Sequence, residues 1–407
     1  MNIIGKSSII AFCSVLAACG GESSDDNQAL CEATPTEVNW DLLLQEQATK
    51  LSEYNLFEKS CDPTVAPNVG GFPYDLTTGL FTDYSSKYRF TFIPPNTSAA
   101  YSENEVLDYP VGTALVKTFA LPKDTSVRGY KAESKFDGEN IIETRILIHR
   151  ENGWIALPYV WDEDRKDATL HISGKAFETS VVHKGERKDF TYGVPDIQTC
   201  KQCHQLTNTV GEGDEASTVS RFMPIGPKAR LLNRDLEFDT GIQNQLAYMV
   251  EQGVLTGSPE DLSTIDTIPV FSDSTDLSSK TSSELEALAK GYLDINCAHC
   301  HRRTDTNDGS LKDDGKAGYS GLKLEYWREL MGNEVAHGVC KTPIAFTAEG
   351  IPFDVWPGDA AKSVIPYRMA LDTAKRMPEV GRDLTHDEGV ELVSAWINSM
   401  PVESCGQ

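Results

Sequence analysis

Two pentapeptides in this chain share one chemical pattern: Cys200-Lys201-Gln202-Cys203-His204 and Cys297-Ala298-His299-Cys300-His301. Each sets two thiols three positions apart and follows them with an imidazole. Thiols at that spacing can add to the two vinyl groups of one porphyrin while the next residue turns its imidazole onto the iron, the signature of covalent c-type haem attachment. With 10 cysteines and 8 histidines in 407 residues, shuffling would produce only about 0.005 such pentapeptides. One rival reading is a CxxC redox pair, which leaves the following histidine without a role. The other is a zinc site, which requires the cysteine pairs to converge. The expectation is two covalently bound haem c groups on Cys200, Cys203, Cys297 and Cys300, with His204 and His301 as proximal iron ligands.

The sixth iron positions need further donors. Lys375-Arg376-Met377-Pro378-Glu379-Val380-Gly381 resembles the distal methionine loop of class I cytochromes c. A thioether there favours reduced iron and raises the potential. Met377 is therefore expected on the second iron, with Met369 as the alternative. Met223 repeats the Met-Pro pairing in Arg221-Phe222-Met223-Pro224 and is the candidate for the first iron. His183, His337, His386 or an open site are the alternatives there, and an open site would admit peroxide or another small ligand.

The N-terminus carries an address. One cation, Lys6, precedes an apolar run from Ile9 to Ala18 that is too short to span a bilayer, and Leu16-Ala17-Ala18-Cys19 follows. This is the layout of a secretory signal ending in a box that resembles bacterial lipoprotein processing sites. The resemblance implies cleavage after residue 18 and lipidation of Cys19, anchoring an exported protein in the outer membrane, on its periplasmic side or at the cell surface. In that oxidising compartment Cys31, Cys61, Cys340 and Cys405 are candidates for two disulfides, and the local pairing Cys31 with Cys61 and Cys340 with Cys405 is the favoured connectivity.

The elements that must position this chemistry divide the chain into a signal (1–18), a polar tether (19–38), a β-rich region with a leading helix (39–190) and a helical di-haem region (191–407), whose second haem unit covers about 280–404. A helix is expected over Trp40–Phe57. Aromatics at 88, 90 and 92 alternate with polar residues, which predicts a strand closed by Pro94-Pro95. Thr113–Phe119 predicts another, and Asn152-Gly153 between two apolar runs predicts a hairpin. Helices are expected over Asn244–Gln252, Ser282–Asn296 and Asp387–Met400, the last opened by a capping box of Thr385 with Glu388. The fold class expected is α+β and multidomain: a sandwich-like β-rich N-terminal domain followed by a mainly α-helical, cytochrome c-like haem domain. Acidic residues of the loop Thr304–Gly321 do not follow the EF-hand spacing, and a solvated loop is expected.

Charge narrows the partners. With 37 Lys+Arg against 61 Asp+Glu, the formal charge is -24, which disfavours nucleic acid and favours a basic redox partner protein. Tyr192-Gly193-Val194-Pro195-Asp196 leading into the first motif, Pro224-Ile225-Gly226-Pro227, Tyr292-Leu293-Asp294-Ile295-Asn296 leading into the second, and Met377-Pro378-Glu379-Val380-Gly381-Arg382 together resemble a family of exported di-haem c-type cytochromes of proteobacteria. Pro110-Val111-Gly112-Thr113 and Gly153-Trp154-Ile155-Ala156 extend the likeness into the strand region. The resemblance implies electron transfer and names no substrate. The alternatives are a di-haem peroxidase-like or small-molecule oxidoreductase with a reactive first haem, and a structural or assembly lipoprotein.

Overall fold

In the computed structural model, residues 35–127, 139–210, 217–303, 314–402 and 405 are described. The signal, Cys19, the tether up to residue 34, Cys31 and residues 304–313 of the polar loop lie outside them.

An antiparallel sheet of six strands forms the frame, in the order Gly71–Pro73, Ser86–Phe92, Ala114–Pro122, Glu139–Arg150, Gly153–Trp161 and Ala168–Leu170. Its two faces follow from period-two alternation. Tyr88, Phe90, Phe92, Val116, Ile146, Ile148 and Tyr159 share one face and pack under Leu43, Leu51, Tyr54 and Phe57. Leu43 comes from a five-residue helix, Trp40–Leu44, and Leu51 and Tyr54 from a 3-10 turn, Leu51–Tyr54; these replace the single helix expected there. Asn152-Gly153 turns the central hairpin as expected, with Gly153 at φ +101°, a region that an L side chain rarely adopts. A bulge opposes Phe119 and Ala120 to Glu143 and Ile141. The skipped Ile142 swings into a second cluster with Tyr84, Val181, Phe190 and Tyr192, where the hairpin Lys175–His183/Glu186–Val194 packs.

The opposite face of the sheet is covered by the remainder of the chain, not by a second sheet. Leu115 joins Ile225, Leu231, Leu246, Ile268 and Ile295 in one core that crosses the expected boundary at residue 190. Leu255–Thr256 also pairs in parallel with Ala99–Ala100.

The expectation of a mainly α-helical region over 191–407 is overturned. The described chain is sheet-rich, 30% strand and 23% helical. Among the described residues of that region only the helices Ser282–Leu293 and Asp387–Ser399 run beyond eight residues. Before the first of them lie hairpins Gln205–Val210/Ser217–Phe222 and Asp235–Phe238/Gly241–Asn244, and between the two lie long stretches of turns. The first hairpin reads Leu206-Thr207-Asn208-Thr209-Val210 against Thr218-Val219-Ser220, and β-branched residues with stiff χ1 angles suit a pleated strand better than a helix. The two longer helices cross and bury Leu288, Tyr292, Leu392, Val393 and Trp396 in a third core. Thr281 and Glu284 form a reciprocal capping box on the first of them. The box expected from Thr385 and Glu388 is absent: His386 is the N-cap without a side-chain bond, and Thr385 Oγ1 donates to the Ala370 carbonyl.

Cys340 and Cys405 are joined by a disulfide, and Cys61 is also disulfide-bonded. Among the described residues no helix is long and apolar enough to cross a membrane.

Candidate haem site

The hairpin Lys175–Val194 runs through Pro195 into Asp196, whose carboxylate accepts from the Thr199 amide at 2.6 Å and caps the helix Ile197–His204. On an α-helix, positions i, i+3 and i+4 share a face, so Cys200, Cys203 and His204 are presented together. The second motif begins where the helix Ser282–Leu293 widens into a π turn over Asp294–Ala298. Buried Asp294 anchors that turn, taking Lys228 Nζ at 2.7 Å and the Tyr326 amide at 3.0 Å. Burial pushes its carboxyl up, but Lys228 and Arg230 outweigh burial and hold it below the usual range. Asn296 accepts from the Phe81 amide at 2.8 Å, tying the turn to the loop between the first two strands of the sheet.

The two motifs touch. Cys300 Sγ donates to the Gln202 carbonyl at 3.3 Å, and ligand atoms of Cys203, His299 and Cys300 all lie within 4.8 Å of one another. A ladder contact between Thr207 and Asp314 (2.9 and 2.7 Å) straps the chain after one motif to the chain after the other. Burial pushes the Cys297 thiol up to about 12. Contact with the Cys300 sulfur holds the Cys203 thiol well below its ordinary value.

Both proximal candidates are oriented through Nδ1. His204 Nδ1 donates to the Met223 carbonyl at 2.7 Å while its ring stacks on Phe222. His301 Nδ1 is hydrogen-bonded to Ser320 Oγ at 3.0 Å. Nε2 of each ring has no hydrogen-bond partner among the described residues. Burial pushes both imidazoles down to about 4, so each ring is neutral near pH 7, the form that ligates a metal.

A cavity of about 700 Å³ opens beside the motifs. Cys200, Cys203, His204, Cys297, His299 and Met377 reach its wall. Cys300 and His301 are not part of that wall. Met377 is carried on a loop pinned by buried Arg382, whose guanidinium donates to the carbonyls of Met369, Leu371, Met377 and Leu384 at 2.9, 3.0, 2.9 and 3.2 Å. Asp83 holds the end of the loop through the Asp383 and Leu384 amides, both at 2.7 Å, and burial pushes its carboxyl up to about 6. Met369, the alternative donor, also reaches the cavity.

Met223, the donor expected for the first iron, meets His204 Nδ1 through its backbone carbonyl and is not part of the cavity wall. It orients the proximal ring through its backbone instead. The alternative histidines are engaged elsewhere. His183 Nε2 lies 3.0 Å from Glu388, His386 Nε2 3.1 Å from Asp273, and His337 Nε2 donates to the Arg328 carbonyl at 3.0 Å.

The covered face of the sheet supplies what sequence reasoning missed. Arg89, Lys117 and Arg145 are register neighbours on three adjacent strands, and all three line the cavity. Arg89 pairs with Asp75 at 2.7 Å and Arg145 with Glu143 at 2.5 Å, whereas Lys117 has no ion-pair partner among the described residues. Burial, with Arg145 and Arg89 nearby, pushes the Lys117 ammonium down to about 7. The only sequence signal was a cation at a strand position of fixed parity, which reads equally well as solvent-facing.

The residues fit haem by three features: donors at i, i+3 and i+4, imidazoles with Nε2 unbonded, and a cationic wall in an otherwise acidic protein. Comparison with protein-family models, with curated proteins and with solved structures returns no match to this chain.

Proposed function

We propose that this chain is a di-haem c-type cytochrome that passes single electrons, anchored at the outer membrane through lipid on Cys19. The observation that carries the reading is the contact between the two CxxCH motifs, with Cys203, on the cavity wall, and Cys300 in one cluster. Attachment points this close bring two redox groups within easy electron-transfer reach, which two independent carriers would not need. Haem supplies a one-electron couple when bound. Cys200 and Cys203 would hold one group and Cys297 and Cys300 the other, with His204 and His301 as axial ligands and Met377 as the sixth donor to the second iron. Arg89, Lys117 and Arg145 would face the propionate carboxylates, and the sheet would close the site against water. This gives the strand region a task beside the motifs. A basic partner protein would dock by charge, so its turnover should fall with ionic strength.

The test is expression with the cytochrome c maturation machinery, followed by intact mass and a haem-to-protein ratio. Two haems per chain, and a reducible spectrum, are expected. A colourless product with the mass of the bare chain overturns the reading.

One observation favours a second reading: Cys203, Cys300 and His299 converge as a zinc site requires. It leaves Cys200, Cys297, His204 and His301 without a role. A colourless product carrying one zinc that is lost on Cys203→Ala would establish it.

A further inference from the structure

A second cluster lies beyond the cavity wall, where three distant parts of the chain meet. His183 ends the strand Lys175–His183, Asp273 lies in the turn before the helix Ser282–Leu293, and Glu388 sits in the first turn of the terminal helix. One ligand atom from each lies within 4.8 Å of the others. His386, the N-cap of that helix, stands beside them. His183 Nε2 is 3.0 Å from Glu388 Oε1, while His386 Nε2 is 3.1 Å from Asp273 Oδ1 and 3.8 Å from Glu388 Oε2. Tetrahedral zinc, with bonds of 2.0–2.2 Å, holds neighbouring donors about 3.4 Å apart. The 3.0 Å contact and the 4.8 Å limit among the three donors bracket that value.

We propose that His183, Asp273 and Glu388 form a Zn²⁺ site, completed by water, that clamps the terminal helix to the 175–194 hairpin, with His386 hydrogen-bonded to Asp273 beside it. The His183 ring is aimed by the kind of hydrogen bond that ligating histidines use. His183 Nδ1 is bonded to Thr125 Oγ1 and His386 Nδ1 to the Tyr292 hydroxyl, each at 3.0 Å, which turns both Nε2 atoms toward the carboxylates. His183 is also fixed by stacking on Tyr84 at 4.0 Å, and the Tyr84 hydroxyl donates to Glu388 Oε2 at 3.2 Å. Charge agrees: two carboxylates face two imidazoles, with one nearby ammonium, Lys184, 2.8 Å from Glu388 Oε1. The Lys184 side chain is 60% exposed and can swing into water when a dication arrives. An imidazole among the donors favours zinc over magnesium or calcium, which take all-oxygen shells. The site also explains why Glu388 forgoes the capping box that its spacing from Thr385 offers.

This site does not depend on haem being present. The test uses the full haem-loaded chain, stripped with chelator, dialysed and titrated with ZnCl₂, with zinc counted by elemental analysis. If no haem is attached, the titration is run with Cys203→Ala and Cys300→Ala, which removes the thiol pair. One zinc per chain and a thermal midpoint raised by about 5 °C at saturating zinc are expected. His183→Ala abolishes binding, and Thr125→Val, which leaves every ligand in place, weakens it 10–100-fold. Failure of the wild-type chain to retain zinc, or equal affinity in His183→Ala, overturns the proposal. Should His183→Ala not fold, unchanged affinity in Thr125→Val overturns it.

Discussion

Lys117 stands directly opposite Arg145 in the antiparallel register, and both line the cavity. Like charges side by side on a covered sheet face are costly unless something negative lies over them. In the haem-free chain the Lys117 ammonium is pushed down to about 7, so between about pH 7 and the ordinary lysine value of 10.5 the unfolded chain binds the extra proton. Stability from this group therefore rises with pH across that window. Lys117→Met removes the dependence. Urea denaturation of both haem-free proteins at pH 6 and pH 10 checks it: the variant should be the more stable at pH 6, and the difference should shrink at pH 10.

Cys200→Ser combined with Cys203→Ser should halve the covalent haem, leaving one group on the second motif. The same pair of changes at Cys297 and Cys300 should leave one on the first. Intact mass and the haem-to-protein ratio report the count.

Methionine substitutions separate the two loops. Met377→Ala should lower the potential of one haem by on the order of 100 mV, since a thioether favours reduced iron. Met223→Ala should leave both potentials nearly unchanged, because His204 uses only the Met223 carbonyl. Redox titration followed in the visible spectrum distinguishes them.

Arg382→Met should cost about 3 kcal/mol or more in urea denaturation, since it strips four carbonyls of one buried donor group. The freed Met377 loop should also let carbon monoxide onto the reduced protein, visible as a spectral shift that the wild type lacks.

The disulfide Cys340–Cys405 closes a separation of 65 residues. Replacing both cysteines with alanine should cost about 4 kcal/mol by chain entropy, read as a fall in the urea midpoint.

The parts legible in the sequence were those fixed by local pattern. Alternation at 87–93 placed a strand observed at Ser86–Phe92, and Asn152-Gly153 placed the turn of the central hairpin. Thr281 and Glu284 opened the expected helix at Ser282. Long-range demands hid the rest. Glu388 has capping-box spacing, yet its carboxylate is drawn to His183 and Lys184, groups some 200 positions away. The hairpin after His204 was invisible because the preceding motif suggested helical surroundings, while Thr207, Thr209 and Val210 favoured strand. The haem motifs were legible as spacing alone. That they touch, and that a carbonyl orients His204, depends on backbone positions that side-chain chemistry does not encode.

The charged stripe Arg89-Lys117-Arg145 has a consequence for biogenesis. In an exported chain these strands cross the membrane before residues 225–295 that will cover them, so the sheet waits with one face uncovered. A wholly aliphatic face would invite aggregation during that interval, whereas a central band of cations keeps it wetted until the rest of the chain arrives.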